Sequence, residues 1–314
     1  MPGPIGHIKQ GGLLSILPDI FVVARVFFPS ETIQRICLKL HNTEEGVEVM
    51  SRIGLGKAWR SHMEADKASH SYTYSYADRV PEDAVMLLSG GLDSFCAWRL
   101  LGQPKAVYFA IGHKSQDKEL ERIKAIKEKF GGNITIDHRL NLKDSEYANG
   151  YIPFRNLFFF LLASSYSPNI IIAQMLEWAP DKNNKFYRKV EDLVDVMGNG
   201  KFQGINLSVT IYSPFCHFTK TQLVGKYLKE YPKEDLLLTR SCYSDKEVNC
   251  GVCGACVSRY VAMKNNGIDE EYETIPDLGM IKRKWSIADF RFENIPMYVG
   301  RWKEYRKFEN RKRQ

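Results

Sequence analysis

The chain has no apolar run long enough to cross a bilayer. Its longest, Leu157 to Ala163, is separated from Ile170 to Ala173 by Ser164, Ser165, Ser167, Pro168 and Asn169. A spanning helix needs about 20 mostly apolar residues, so these segments read as a buried helix followed by a buried parallel strand, with no membrane partner. A secretory leader is not expected either, because Met1 to Gly12 lack a basic segment followed by an apolar core. A disulfide framework is also out of place. The cysteines number seven, and Cys242, Cys250, Cys253 and Cys256 crowd into fifteen residues. That distribution suits a reducing cytoplasm and a metal site. Neither an internal repeat nor a low-complexity segment is present.

Net charge is missing from most of the chain. The total is +7, yet residues 281–314 hold eleven Lys/Arg against four Asp/Glu, so the first 280 residues balance at 33 of each sign. The basic tail runs through Lys282, Arg283, Lys284, Arg301, Lys303, Arg306, Lys307, Arg311, Lys312 and Arg313, interleaved with Trp285, Phe290, Phe292, Tyr298, Trp302, Tyr305 and Phe308. Such a segment suits either nucleic acid or an acidic protein, or a packed C-terminal arm with a solvated charged face. With 44% hydrophobic and 26% charged residues in 314, the chain has ample material for one large core or two smaller ones.

The most telling stretch is Ser89-Gly90-Gly91-Leu92-Asp93-Ser94, directly after the apolar run Ala84 to Leu88. Strand-forming residues, two glycines and a helix-like segment make an anion site, in which backbone N–H groups turn inward and the helix start adds positive charge. Asp93 offers a carboxylate to a divalent cation, and Ser89 and Ser94 offer hydroxyls to phosphate oxygens. No lysine follows the glycines, which excludes the Walker-type loop. The pattern resembles the PP-loop of ATP pyrophosphatases, which split ATP between the α and β phosphates and adenylate a substrate. An ordinary Gly-Gly turn is the plain alternative.

From Ala84 onward strands alternate with helices. Strands are expected at 84–88, 105–111, 133–137 and 169–174, and helices at 93–102, 117–130, 155–166, 186–197 and 219–230. This rhythm predicts an α/β fold: a doubly wound parallel sheet, with ligands beyond the strand C-termini where the Ser89–Ser94 loop falls. Residues 1–80 differ. Strand-like runs at 21–28 and 33–40 suggest a small β-rich N-terminal extension. The expected division is 1–80, 81–274 and a basic aromatic arm at 275–314.

Cys250-Gly251-Val252-Cys253-Gly254-Ala255-Cys256 is a C-x₂-C-x₂-C run, with Cys242 eight residues earlier. Four thiolates with no spare ligand fit a closed structural Zn²⁺ site. A cubane iron–sulfur cluster uses the same ligand number.

The loop and the cysteine knuckle together resemble the 7-cyano-7-deazaguanine synthase (QueC) family. Ile152-Pro153-Phe154-Arg155-Asn156 is similar to its V-P-x-R-N motif, and Ser213-Pro214-Phe215 with Thr219-Lys220 to its x-P-(apolar)…L-T-K segment. Ser241-Cys242-Tyr243 and the cysteine run, with Arg259, Gly267 and Asp269, resemble its zinc knuckle. Gly112 and Glu119 approximate its G-Q-x-H-x-x-E stretch, with one extra residue here. The likeness covers residues 84–270 in collinear order. It implies a fold like the adenine nucleotide alpha hydrolases. It implies an ATP-dependent carbon–nitrogen ligase that uses ATP, Mg²⁺ and Zn²⁺, adenylates the carboxylate of 7-carboxy-7-deazaguanine and lets an amine displace AMP. Asp93 would then hold Mg²⁺. Ser89, Gly90, Gly91, Leu92 and Ser94 would bind phosphate. Arg155 and Lys220 would stabilise charge, unless Arg155 serves a surface ion pair and Lys220 is a solvated first-turn lysine. A homodimer is among the assemblies the likeness allows.

One stretch departs from the family. Where its substrate loop reads roughly G-V-N-A-x-D-x-S-G-Y-P-D-C-R-P-E-F, residues Ile172 to Phe186 keep only Pro180, Asp181 and Phe186 in register, with Asn183 at the arginine position. Gln174, Trp178, Asp181 and Phe186 are the candidates for binding a deazaguanine ring. Trp178 as a core anchor and Asp181 as a helix N-cap are the plain alternatives. The altered loop, the N-terminal extension and the basic tail point toward a divergent group linked to antiviral defence, with a protein amine as acceptor. The housekeeping synthase, with ammonia as acceptor, is the alternative. A tRNA-directed PP-loop enzyme is a further reading, and a degenerate nucleotide-binding protein without catalysis is the non-enzymatic one.

Overall fold

The computed structural model describes residues 80–148, 150–176, 181–198, 208–244, 246–277, 279, 304 and 307–311, all within one compact unit. The N-terminal extension, Trp178 and most of the basic tail lie outside the described residues.

Five short strands form one sheet: β1 Val85–Leu87, β2 Ala106–Phe109, β3 Ile134–Asp137, β4 Asn169–Ile171 and β5 Thr210–Tyr212. All pairings are parallel, in the order β3-β2-β1-β4-β5. Met86 and Leu87 of β1 pair with Ala106 and Val107, and Val85 and Met86 pair with Ile170 and Ile171. The chain thus builds outward from β1 on one side, then returns to β1 and builds the other way. Such a reversal opens a crevice at the strand C-termini.

Alternation along the strands explains the two layers of helix. Met86, Ala106 and Tyr108 share one core with α1 (Leu92–Leu100), α2 (Gln116–Phe130) and α5 (Lys220–Tyr227), through Phe95, Trp98, Ile123, Ile126, Leu223 and Tyr227. Val85, Val107, Phe109 and Ile170 face the opposite core with α3 (Arg155–Ala163) and α4 (Asn184–Gly198), through Phe160, Tyr187, Val190 and Val194. Both faces of the sheet are covered, which is why its strands read as continuous apolar runs. Among the described residues no helix is long and apolar enough to cross a membrane.

The doubly wound sheet agrees with the expected fold. The expected strands and helices are found with ends shifted by up to three residues. Two elements were not expected. β5 has only three residues and sits at the sheet edge with half-exposed side chains. Helix α6 (Gly254–Asn265) follows the cysteine run and packs Ala262 and Met263 into the first core.

Candidate functional site

The Ser89–Ser94 loop leaves the end of β1 and enters α1 at the crevice. Gly90 has φ +70°, and a Cβ there would lie 3.3 Å from Arg122 Cβ and 3.5 Å from the Glu119 carbonyl oxygen. Only glycine takes this backbone without strain while α2 packs so close. The two serines tie the loop across itself. Their Oγ atoms are 3.0 Å apart, Ser94 donates to the Gly91 carbonyl at 3.1 Å, and the Ser89 N–H donates to Ser94 Oγ at 3.2 Å. Gly91 is the N-cap of α1 and no side chain caps it, so the first-turn N–H groups remain available to an anion.

The loop opens on a cavity of about 310 Å³. Ser89, Gly91, Asp93, Ser94, Arg155, Lys220 and Cys242 all line it. The structure therefore brings together the Ser89–Ser94 loop, both basic candidates and one knuckle cysteine. Of the other loop candidates, Leu92 is fully buried in the core, and Gly90 turns its backbone against α2.

Lys220 is placed by a capping box. Thr219 Oγ1 accepts from the Gln222 N–H at 3.2 Å, and the Thr219 N–H donates to Gln222 Oε1 at 2.8 Å, which fixes Lys220 in the first turn of α5. Its Nζ then reaches Asp93 Oδ2 at 2.8 Å. Lys220 is buried, so the solvated-lysine reading does not describe it. Asp93 Oδ1 is buried with no hydrogen-bond partner. One orphaned carboxylate oxygen beside two serine hydroxyls is a hard-oxygen donor set that fits Mg²⁺ completed by phosphate oxygens.

Two further cations line the cavity, Lys182 and Arg240. The sequence reading named neither. Arg240 donates through Nη2 to the Ser244 carbonyl and through Nη1 to that of Glu247, each at 2.9 Å, while its own N–H donates to the Gly90 carbonyl at 3.0 Å. It clamps the phosphate loop to the cysteine segment.

The four cysteine sulfurs lie within 4.8 Å of one another, and Cys250 and Cys256 are 3.9 Å apart. A tetrahedral ion with Zn–S bonds of about 2.3 Å needs sulfurs roughly 3.8 Å apart. Backbone N–H groups of Ser244 and Cys250 donate to Cys242 Sγ, and that of Cys256 to Cys253 Sγ, all at 3.4 Å. These are the outer bonds that steady metal thiolates. Hydrogen bonding from the Cys256 thiol pulls Cys253 down to about 4, and the same contact pushes Cys256 up. Gly251 has φ +76°, and a Cβ there would overlap the Thr274 carbonyl. The set fits Zn²⁺; the ligand count also admits an iron–sulfur cluster. Behind it, buried Arg259 pairs with Glu270 (Nε to Oε2, 2.9 Å) and donates to Thr239 Oγ1 at 2.7 Å, pinning α6 beside Arg240.

The candidates for the base-binding loop are placed differently. Gln174, Asp181 and Phe186 do not line the cavity. Gln174 is buried. The Asp181 carbonyl accepts from Asn156 Nδ2 at 3.0 Å, and the Phe186 ring packs on Phe160 and Tyr187. Asn183, not Asp181, caps α4: its Oδ1 accepts from the Phe186 N–H at 3.0 Å.

A family model described as "Queuosine biosynthesis protein QueC" matches residues 130–267, a span that holds Arg155, Lys220 and the four cysteines. The 7-cyano-7-deazaguanine synthase of Campylobacter jejuni subsp. jejuni serotype O:2 is 27% identical over 226 residues, covering 61% of this chain and 98% of that protein. By these matches the chain is similar to the QueC family, as a divergent relative. 7-cyano-7-deazaguanine synthase 2 of Sulfurisphaera tokodaii is 30% identical over 233 residues, covering 62% of this chain and 49% of that protein. The synthase of Saccharolobus solfataricus is 30% identical over 224 residues, 60% of this chain and 47% of that protein. The chain spans about half the length of these two relatives. Among solved structures, the U34-tRNA thiolase NcsA from Methanococcus maripaludis with its [4Fe-4S] cluster matches 78% of each chain at TM-score 0.31 and 12% identity, too slight a likeness to bear on fold or function. In this chain Asn183 spends its side chain on a helix cap, and Lys182 lines the cavity from the same loop.

Proposed function

We propose that this QueC-family chain is an ATP-dependent carbon–nitrogen ligase acting on a 7-carboxy-7-deazaguanine-type carboxylate, with ammonia as the acceptor. The observation that carries the reading is the Lys220–Asp93 contact at 2.8 Å beside the phosphate loop, in the same cavity as Arg155.

A carboxylate is a poor electrophile at neutral pH, and transfer of AMP turns it into a mixed anhydride with a good leaving group. The loop holds the phosphates, and Arg155, Lys182 and Lys220 spread the charge that develops on pyrophosphate. Mg²⁺ held at Asp93 supplies further charge neutralisation when bound. Val107, Phe109, Phe159 and Ile172 give the cavity an apolar wall, with the Phe109 and Phe159 rings stacked at 5.2 Å. That wall suits a flat heterocycle.

The departure at Asn183 favours a second reading, in which a protein amine such as an N-terminus takes the acyl group in an antiviral system. The names of the relatives support ammonia over that acceptor. The test is incubation with ATP, Mg²⁺, 7-carboxy-7-deazaguanine and ammonium, followed by mass spectrometry. AMP, pyrophosphate and free nitrile are expected. Substrate-dependent AMP formation without amide or nitrile would move the assignment to the protein acceptor, and no substrate-dependent pyrophosphate would remove the ligase reading.

A further inference from the structure

His113 lines the cavity, with its side chain 9% exposed and Nε2 lying 3.3 Å from Glu119 Oε2 on α2. The carboxylate is itself held: the Tyr108 hydroxyl donates to Oε2 at 3.1 Å and the Ser115 hydroxyl to Oε1 at 3.4 Å. Just before His113, the Gly112 N–H donates to Gln116 Oε1 at 2.6 Å and fixes the backbone. A carboxylate facing Nε2 keeps the proton on that nitrogen. Nδ1 then carries the lone pair, and it is buried with no partner. The pair abuts the phosphate loop, since the Glu119 carbonyl oxygen is one of the atoms nearest to Gly90. An imidazole that lines the cavity, is held by a carboxylate at one nitrogen and leaves its other nitrogen unbonded has the arrangement of a general base.

We propose that His113 takes the proton from the acceptor amine and that Glu119 is its positioning residue. The proposal rests on the ligase reading above and names the group that completes it. At neutral pH ammonia is mainly ammonium and has no lone pair to offer. One N–H proton passes to Nδ1. The freed lone pair forms the C–N bond to the acyl carbon, the C–O bond to AMP breaks with its electron pair leaving on AMP, and the nitrogen, now carrying three protons, gives one to water and becomes the neutral amide. The imidazolium, facing Glu119, returns its proton to water. Asp93, another carboxylate at the cavity, is already engaged by Lys220.

The wild type, His113→Asn and Glu119→Gln are compared with ATP, Mg²⁺, 7-carboxy-7-deazaguanine and either ammonium or hydroxylamine. Hydroxylamine is largely neutral at neutral pH, needs no base, and captures an acyl adenylate as the hydroxamate. In H113N, hydroxamate formation is expected to stay near wild type while the ammonia product falls about 100-fold or more. E119Q shows the same split, smaller in size. Equal loss of both products in a folded H113N overturns the assignment. If H113N does not fold, the split in E119Q decides, and its absence there overturns the proposal. If the wild type yields neither hydroxamate nor ammonia product, the ligase reading itself fails and the base falls with it. Wild-type hydroxamate with an unsplit H113N removes only the base.

Discussion

Lys220 Nζ sits 2.8 Å from Asp93 Oδ2 across 127 positions of sequence. The contact joins the start of α1 to the start of α5, and both partners are largely withdrawn from solvent. Breaking such a pair strands the surviving charge in a partly buried site. Asp93→Asn is expected to abolish substrate-dependent pyrophosphate release. Lys220→Met is expected to lower it by about 100- to 1000-fold, the range for removing one charge-stabilising group. The check is pyrophosphate release at saturating substrate. Retention of wild-type rates in both variants would remove the pair from the chemistry.

Gly90 offers a separate test of the loop. At φ +70° an alanine is strained by roughly 1 kcal/mol, and its Cβ would press on Arg122 and the Glu119 carbonyl at 3.3 and 3.5 Å. Gly90→Ala is expected to lower stability by about 1–3 kcal/mol in denaturant titration. ATP binding should weaken more than that loss of fold accounts for, because the loop is pushed away from α2. A Gly90→Ala protein that binds ATP normally would show that the loop conformation is not needed.

The cysteine knuckle predicts a metal-dependent fold around α6. Cys253 Sγ is both a ligand candidate and the N-cap acceptor of α6, so losing the ion loosens the helix start as well. Elemental analysis should find about one zinc per chain. Strong chelation, or Cys250→Ser, should cause a clear drop in thermal midpoint. A visible absorption band with iron in the analysis would replace zinc with a cluster.

How much of this was legible in the sequence follows from how local each signal is. The Ser89–Ser94 loop and the C-x₂-C-x₂-C run carry their geometry in spacings of a few residues, so the strand-to-helix turn and the gathering of the four sulfurs were readable before any fold was seen. β1 and β2 were readable because both sheet faces are buried and their residues are apolar throughout. β5 was not, since a three-residue edge strand offers too short a pattern. The side-chain directions of Lys182 and Phe186 were not legible, for another reason. Register with a family motif fixes position along the chain but not the side of the backbone a side chain leaves from. Phe186 therefore went to the core and Lys182 to the cavity. Arg240 and His113 meet the site only through tertiary packing, which no local spacing encodes.

Arg259 and Glu270 set the stability of the wall behind the site. The guanidinium is fully buried and bonded to Glu270, Thr239 and the Leu236 carbonyl, and Glu270 holds it charged despite the burial. Arg259→Met leaves the Glu270 carboxylate buried with the Tyr272 hydroxyl but without its cation. A loss of about 3–5 kcal/mol is expected, read as a lower denaturation midpoint. Arg259→Met with Glu270→Gln should recover part of it, because the stranded charge is then gone. If the double variant is no more stable than the single one, the cost lies in the bonds to Thr239 and Leu236 rather than in the charge.

Lys182 and Asn183 are adjacent, yet the structure gives them opposite duties, and substitution can separate them. Asn183 caps α4 through the Phe186 N–H, so Asn183→Ala should cost about 1 kcal/mol of stability and change pyrophosphate release only slightly. Lys182 lines the cavity with Arg155 and Lys220, so Lys182→Ala should lower kcat/KM by about tenfold or more, the effect of losing one cation facing phosphate. Arginine at 183 with the lysine kept is the informative third variant. If the arginine position of the family works through this loop, Asn183→Arg should lose the cap and its stability without gaining activity, because position 183 is turned to the helix start. A gain in nitrile formation by Asn183→Arg would show instead that the loop can present residue 183 to the substrate, and that Lys182 is not its replacement.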